Sequence, residues 1–190
     1  MACLFFTSDT HFSHTNTWAK YKDLDGSPLR PFTSTPEMDE LMIARWNETV
    51  RPQDHIYHLG DVSMMRPRLI RGILARLNGH KRLVRGNHDI FHTREYMEHG
   101  FEEIYGVRVL ENLIFTHIPI HARSMGRFAA NVHGHIHTGP DLTPALGLAQ
   151  NNTVLMMPYI NITVEHTLYR PLSLEEIKGC VKTAVERGRV

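Results

Sequence analysis

The sequence predicts an α/β protein, because strand-like and helix-like segments alternate in its N-terminal half and strand-like segments dominate its C-terminal half. Its 190 residues are the size of one ordinary domain, and 42% hydrophobic with 22% charged residues is typical of a folded globular chain. No repeat, low-complexity segment or linker divides the sequence. We therefore predict a single domain over residues 1–190.

The N-terminal half opens with an apolar run at residues 3–7, which predicts a buried strand. Residues 12–36 are polar and contain three prolines, which predicts a long loop that overhangs the site and shapes specificity. Thr35 and Pro36 then provide the capping residue and the first helical residue of the next helix. The apolar face of that helix is formed by Met38, Leu41, Met42 and Trp46.

Shorter elements alternate after this helix. Helices are predicted at residues 67–77 and 93–99, and a tight turn is predicted at residues 111–112. Ser173 and Glu176 form a capping box at the start of a last helix. The core face of that last helix is Leu174, Ile177, Val181 and Ala184. The remaining strands are predicted at residues 55–59, 81–84, 107–110, 113–116, 129–133, 153–157 and 160–164.

The overall charge does not indicate a nucleic-acid or membrane partner, since 21 Lys and Arg nearly balance 20 Asp and Glu. One local imbalance stands out: seven basic residues and no acidic residue lie between Asp61 and Asp89. A solvated helix face beside a carboxylate-rich site is the favoured interpretation, and a docking surface for an anionic substrate is the alternative.

The two cysteines, Cys3 and Cys180, lie near opposite ends of the chain and read as buried or half-buried thiols, not as a disulfide. The apolar run at residues 3–7 is too short for a signal peptide, and no stretch approaches the length of a membrane span. We therefore expect a cytoplasmic protein without a membrane partner.

Histidine is over-represented, with 14 residues in 190, and imidazole is the commonest protein ligand of transition metals. Candidate ligands recur where the predicted strands end, and sites in α/β sheets form beyond the carboxyl ends of strands. A single histidine after a strand is usually structural, but five successive strand ends carrying Asp, Asn or His predict a metal site. The residues at these ends are Asp9, His11, Asp61, Asn87, His88, Asp89, His117, His135 and His137.

Taken together, these five motifs resemble those of the calcineurin-like metallophosphoesterases. The motifs are Asp9-Thr10-His11, Gly60-Asp61, Gly86-Asn87-His88-Asp89, Thr116-His117 and Gly134-His135-Ile136-His137. The likeness is strongest to small phosphoesterases of bacteria and phages, which begin similarly to residues 7–14 and carry a tail like residues 169–174. This resemblance implies that the protein is located in the cytoplasm of a bacterium or of a phage-infected host cell.

The resemblance implies a four-layer α/β/β/α sandwich of two mixed sheets, and it implies roles for individual residues. Asp9, His11 and His137 would bind one metal ion, and Asn87, His117 and His135 would bind the other. Asp61 would bridge the two ions. His88 would be the proton donor near the leaving group, and Asp89 would orient it.

Elementary chemistry supports this arrangement. Two cations roughly 3.5–4 Å apart stabilise the attacking and the departing oxygen of an in-line displacement, and they lower the pKa of a bridging water. A carboxylate such as Asp61 suits the bridge because it offers two anionic oxygens. Mixed nitrogen and oxygen ligands without thiolate suit Mn²⁺, Fe or Zn²⁺ better than Ca²⁺ or Mg²⁺, and we expect Mn²⁺.

Further polar residues near the motifs have both a functional and a structural interpretation. His14 would touch the scissile phosphate or be a loop residue without a role, and Arg123 and Arg127 would clamp a phosphate or be solvated. His133 is expected to be packed in a strand rather than to support the ligands from behind, and His58 to be buried and hydrogen-bonded.

The sequence therefore predicts a hydrolase of a phosphodiester or small phosphomonoester, with nucleotides and oligonucleotides among the candidate substrates. Protein phosphatase activity is not expected, because relatives with that activity continue the second motif to Asp-Arg-Gly and have glutamate where Asp89 stands. One alternative is a nuclease acting on RNA or single-stranded DNA, supported by the basic segment between Asp61 and Asp89. Another is a non-catalytic interaction scaffold on the same fold.

Overall fold

A computed structural model describes residues 2–138, 142–148 and 154–187. Its strands are β1 Leu4–Thr7, β2 His55–His58, β3 His80–Val84, β4 Glu103–Tyr105, β5 Arg108–Leu110, β6 Leu113–Phe115, β7 Ala130–His133, β8 Leu142–Leu148, β9 Val154–Asn161 and β10 Leu172–Ser173. Its helices are α1 Asn16–Ala19, α2 Thr35–Thr49, α3 Pro67–Leu74, α4 Thr93–His99 and α5 Leu174–Arg187, with a 3₁₀ turn at Ala122–Ser124. None of the described helices is long and apolar enough to cross a bilayer.

The strands form two mixed sheets of five strands each, in the orders β10-β1-β2-β3-β4 and β5-β6-β7-β9-β8. Strands β1 to β4 run parallel, and so do β6, β7 and β9. A bridge between Ser8 and Thr163 links the ends of β1 and β9. The parallel strands therefore deliver their carboxyl ends to one edge, where loops are free to carry ligands.

Alternating side chains of β1 supply two separate cores, as expected for a strand that is covered on both faces. Phe5 lies in a cluster with residues of α2, α3 and α4, including Met42, Trp46 and Leu74. Phe6 faces the second sheet, where its ring stacks on Phe115 at 4.2 Å. The predicted α/β class with two mixed sheets is confirmed.

Several predicted elements are confirmed in detail. Helix α4 has the predicted bounds. The turn at Glu111 and Asn112 has positive φ at both residues, the conformation of a tight hairpin. The capping box is formed, since the Glu176 backbone N–H donates to Ser173 Oγ and the Ser173 N–H donates to the Glu176 carboxylate.

Three boundaries in the N-terminal half were wrong. The cap of α2 is Ser34, not Thr35, because the Thr35 hydroxyl accepts from the Trp18 indole instead. Helix α3 ends at Leu74, since the next residues form tighter turns with i→i−3 hydrogen bonds. The loop at residues 12–36 contains the short helix α1.

Three expectations elsewhere were also wrong. Two strands were predicted at residues 153–157 and 160–164, but one strand, β9 Val154–Asn161, is found, because an unpredicted partner, β8, pairs along it and places Pro144 opposite Pro158. Residue 153 lies outside the described residues, and residues 162–164 lie beyond the strand. Strand β4 was not predicted. Cys3 is exposed rather than buried, while Cys180 is half-buried and neither is in a disulfide.

Candidate metal centre

The candidate ligands lie on loops that directly follow the parallel strands. Four of them have backbone φ in the left-handed region that side chains other than glycine rarely adopt: Asp9 (57°), His11 (47°), Asp61 (58°) and His135 (68°). Backbone conformations of this kind cost about 1–3 kcal/mol each and cluster at functional sites. The loops therefore direct these four candidate ligands toward the site at a cost in conformational free energy, which contacts elsewhere in the fold must offset.

Two glycines of the motifs allow these loops to approach each other. A Cβ at Gly134 would overlap the Ser8 hydroxyl and the Asp9 carboxylate, and a Cβ at Gly86 would overlap the Asp61 side chain. These positions require glycine because neighbouring ligand loops occupy the space of a side chain.

Asp9, His11 and His137 form a first group of candidate ligands, whose ligand atoms all lie within 4.8 Å of one another. His11 Nε2 is 3.2 Å from His137 Nε2, and Asp9 Oδ1 is 3.5 Å from His137 Nε2. Asp9 Oδ2 already accepts the Ser8 hydroxyl and the His135 backbone N–H, so Oδ1 is the oxygen left facing the imidazoles. This trio matches the first predicted ligand set.

Asp61, His117 and His135 form a second group that meets the same distance limit. His117 Nε2 lies 2.8 Å from Asn87 Oδ1, which brings the predicted amide ligand to the same place. His117 Nδ1 is 2.8 Å from the Leu59 carbonyl, an acceptor that fixes the proton on Nδ1 and leaves Nε2 to face the group.

Asp61 stands between the two groups, as the bridging role requires. Its Oδ2 is 3.4 Å from His117 Nε2 and 3.7 Å from His11 Nε2. Its Oδ1 accepts the His88 backbone N–H at 2.9 Å. One oxygen is therefore held by the loop, and the other faces imidazoles of both groups.

The chemistry of these contacts fits bound cations. With Nδ1 protonated toward Leu59, His117 presents a lone pair to the Asn87 carbonyl oxygen, and two acceptors need a proton or a cation between them. The nitrogens of His11 and His137 pose the same requirement. Asp9 Oδ1 is buried and has no hydrogen-bond partner among the described residues, which is costly unless a positive charge lies beside it.

The two carboxylates respond differently to their surroundings. Burial raises the pKa of Asp9 to about 6, because His137 and His117 only partly offset the cost of burying its charge. Burial also favours protonation of Asp61, but hydrogen bonding and charge from His117 outweigh it, so the pKa of Asp61 falls to about 2. Asp61 is therefore anionic at neutral pH without any metal.

Two residues that the sequence did not single out support the first group. Glu165 Oε1 is 3.1 Å from His137 Nδ1 and accepts Arg30 Nε at 2.7 Å. The Arg30 guanidinium is fully buried and also donates to the Asp9 and Thr10 carbonyls. Burial raises the pKa of Glu165, but Arg30 and His137 outweigh it and hold the value at about 2. Arg30 and Glu165 thus fix both His137 and the Asp9 loop.

His88 lies at the open side of the centre. Its side chain is 42% exposed, and its Nε2 is 3.9 Å from Asp61 Oδ2. The buried Asp89 carboxylate accepts the backbone N–H groups of Gly86, Asp61 and Val62, so it ties the two ligand loops together. Its predicted action on the His88 imidazole stays a prediction.

The predicted substrate-binding residues fall in two places. His14 is half-buried next to the first group, with its ring 5.7 Å from that of His11, and Tyr21 of the long loop contacts it edge-on. Burial lowers the pKa of His14. Arg123 is exposed on the 3₁₀ turn, and the Arg127 guanidinium lies 5.9 Å from the Phe128 ring centre. Their contact with substrate stays a prediction.

The two expected structural histidines are buried. His58 bonds Thr10 Oγ1 and the Gly60 backbone N–H, and burial lowers its pKa to about 3. His133 Nδ1 lies 2.8 Å from the Gly134 carbonyl, and burial lowers its pKa to about 4.

Two adjacent Asp and His groups at the carboxyl edge of two mixed sheets define an α/β protein with a candidate dinuclear metal centre. The chain belongs to the calcineurin-like phosphoesterase family, whose model matches residues 4–168. The resemblance drawn from the five motifs is thereby confirmed.

Individual proteins are similar to this chain in sequence or in fold. The chain is 32% identical to an uncharacterised protein of Methanocaldococcus jannaschii, over 100% of this chain and 95% of that one. Its fold is similar to the crystal structure of a protein of unknown function, AQ665 from Aquifex aeolicus, with a TM-score of 0.63, 24% identity and coverage of 95% and 100% of the two chains. A weaker likeness, with a TM-score of 0.49 and 15% identity, is to nuclease MPE of Pseudomonas putida, over 84% of this chain and 74% of that one.

Proposed function

We propose that this protein is a dinuclear-metal-dependent hydrolase of a phosphodiester or small phosphomonoester, with His88 as general acid. The position of Asp61 carries the proposal, because one carboxylate oxygen lies within 3.9 Å of Nε2 of His11, His117 and His88. A shared carboxylate between two imidazole groups, with a third imidazole at the open side, is an arrangement suited to phosphoryl transfer.

Asp9, His11 and His137 would hold one cation, Asn87, His117 and His135 the other, and Asp61 would contact both. Bound cations would supply positive charge to the phosphate oxygens and lower the pKa of an attacking water. Mn²⁺ suits this donor set, and Fe or Zn²⁺ would suit it as well.

The chain's own residues would orient the reaction. The backbone hydrogen bond from His88 to Asp61 places the acid beside the bridging carboxylate. Because the His88 side chain is partly exposed, a substrate can reach it, and its proton would pass to the departing alkoxide oxygen. Asp89 would hold the loops that carry Gly86 and Asp61 in a fixed position relative to each other during the reaction.

The two alternatives have less support. The interpretation as a nuclease depends on free positive charge in the basic segment. Three of its arginines are instead paired with glutamates, as Arg66–Glu95, Arg76–Glu40 and Arg82–Glu103. The Arg85 guanidinium donates to the Asp89 and Phe91 carbonyls. Arg68 and Arg71 are exposed on α3. A non-catalytic scaffold would not need metal-ligating residues, whereas this chain has a candidate ligand at every predicted position, and His88 as well.

The test is turnover of the metal-free protein and of protein loaded with Mn²⁺. The panel contains an aryl phosphodiester, an aryl phosphomonoester, cyclic nucleotides and short oligonucleotides. We expect Mn²⁺-dependent turnover that Asp61→Asn abolishes and that Asp25→Asn, in an exposed turn, leaves unchanged. Equal activity of Asp61→Asn and wild type would refute the bridging role. Two bound metals with no turnover on any substrate would favour the scaffold, and oligonucleotide cleavage with steeply salt-dependent binding would favour the nuclease.

A further inference from the structure

We propose that a cavity beside His117 is a subsite for an apolar organic group carried by the phosphate ester; this rests on the proposed function. The cavity has a volume of about 620 Å³, which is within the usual range of small-molecule sites. Its apolar walls are Val107, Ile114, Ile118, Pro119 and Ile120.

The cavity adjoins the candidate metal centre on the side of the second ligand group. His117, which contacts Asn87 and Asp61, is part of its lining. Arg85, three residues before His88 in the chain, also lines it. Because His117 belongs to both, the proposal places a group attached to a phosphate at the centre in this cavity.

The wall that follows His117 is held rigidly by buried polar contacts. Asn131, which is fully buried, donates to Thr116 Oγ1 and accepts the Ile120 backbone N–H. Thr116 Oγ1 in turn donates to the Ile118 carbonyl, and the Tyr159 hydroxyl donates to the Ile120 carbonyl. These bonds fix the backbone on both sides of Ile118. This part of the cavity wall is therefore preformed.

Apolar side chains are exposed in the cavity. Ile118 is 53% exposed and Val107 is 48% exposed, although both lie in a concave part of the surface. Exposed apolar surface in a cavity next to a catalytic centre marks a place where a ligand is bound.

Most polar groups of the described lining are already engaged, which narrows the class of ligand. The Arg85 guanidinium donates to the Asp89 and Phe91 carbonyls, and the Thr116 hydroxyl to the Ile118 carbonyl. His117 is bonded through both ring nitrogens. Ser124 adds one exposed hydroxyl at the rim. The wall thus favours an aromatic or branched aliphatic group over a sugar or a second charged group.

The test uses two phosphonates that carry the same anionic head and differ only in the organic group. Binding of phenylphosphonate and methylphosphonate to the Mn²⁺-loaded protein is measured by calorimetry. We expect wild type to bind phenylphosphonate at least tenfold more tightly. The double variant Val107→Ser/Ile118→Ser should lose that preference and bind methylphosphonate as wild type does.

Val109→Ser is the matched control, because Val109 is 42% exposed on β5 and is not part of the lining. It should keep the tenfold preference. Val107, Ile118 and Val109 are all partly exposed, so neither the double variant nor the control is expected to unfold. Equal affinity of wild type for the two phosphonates, or an unchanged preference in the double variant, would overturn the subsite alone. Failure of both phosphonates to bind would overturn the proposed function with it.

Discussion

The Glu165 carboxylate lies 3.1 Å from Nδ1 of His137, so the proton of that imidazole is held on the side away from the candidate metal centre. Nε2 of His137 is thereby left to face His11 and Asp9. Arg30 holds Glu165 in turn and belongs to the long segment before α2. One chain of contacts thus joins that segment to a candidate ligand.

Glu165→Gln should weaken metal binding in the first group by about 10–100-fold, the usual effect of removing a partner that orients a histidine ligand. The amide keeps the size of the side chain but removes the charge that favours an Nδ1–H on His137. Calorimetric titration of the metal-free protein with Mn²⁺ measures the change. Urea denaturation before titration establishes that the variant is folded.

Glu102→Gln is a matched control, because Glu102 Oε1 contacts Nδ1 of His80 at 2.7 Å in a similar Glu–His pair. That pair is exposed, and His80 is at the start of β3 whereas Asn87 follows the other end of that strand, so Mn²⁺ affinity should not change. An unchanged affinity in Glu165→Gln as well would show that Glu165 does not position His137.

The candidate ligands were predictable because the chemistry repeats along the chain. Asp9, Asp61, Asn87 and His117 each directly follow a strand, and parallel strands bring such ends together whatever the loops do. The left-handed backbone at Asp9 and Asp61 was not predictable. It depends on contacts between loops distant in sequence, and propensity favours other conformations for aspartate at both positions.

Glu165 and Arg30 were missed for different reasons. Glu165 directly follows the predicted strand at residues 160–164, so the rule that found the candidate ligands would also have singled out this strand end. No sequence pattern marks Arg30, because an arginine in a polar, proline-containing segment is expected to be exposed to solvent. Its burial follows from its three partners, Glu165 and the Asp9 and Thr10 carbonyls, which only the folded chain brings together.

Gly134→Ala should reduce both stability and metal binding. The added Cβ would overlap Ser8 and Asp9, so the His135 loop must move away from the first group. Overpacking of this kind costs about 1–3 kcal/mol in the free energy of unfolding. Thermal denaturation and Mn²⁺ titration measure the two effects.

The control for that substitution is Gly179→Ala, since a Cβ at Gly179 in α5 meets no atom within 4 Å. Alanine there should stabilise the helix by about 0.5–1 kcal/mol and leave Mn²⁺ binding unchanged. If Gly134→Ala behaved like Gly179→Ala, the close approach of the two loops would be refuted.

His58 should make the metal-free protein sensitive to acid. Burial lowers its pKa to about 3, whereas in the unfolded chain its pKa is about 6.5. Between these values the unfolded state binds more protons, so the free energy of unfolding falls as pH decreases from about 6.5 to about 3. His58→Gln should make this dependence shallower by up to about 1.4 kcal/mol per pH unit.

Urea denaturation of the metal-free protein between pH 4.5 and 6.5 measures that slope. His80→Gln, which removes an exposed histidine, serves as the control for the loss of an imidazole as such. An unchanged slope in His58→Gln would mean that His58 is not held neutral in the folded protein.

His88→Ala should keep both metal ions and lose turnover, because His88 is not a member of either ligand group and its proton is needed only when the ester bond breaks. General acids of this kind contribute about 10²–10⁴-fold to rate. The loss should be large for an ester with an alkyl leaving group and small for a p-nitrophenyl ester, whose leaving group departs without a proton. Metal content is measured alongside turnover, with His80→Ala as the control. An equal loss for both leaving groups, or loss of bound metal, would contradict the role of His88 as the acid.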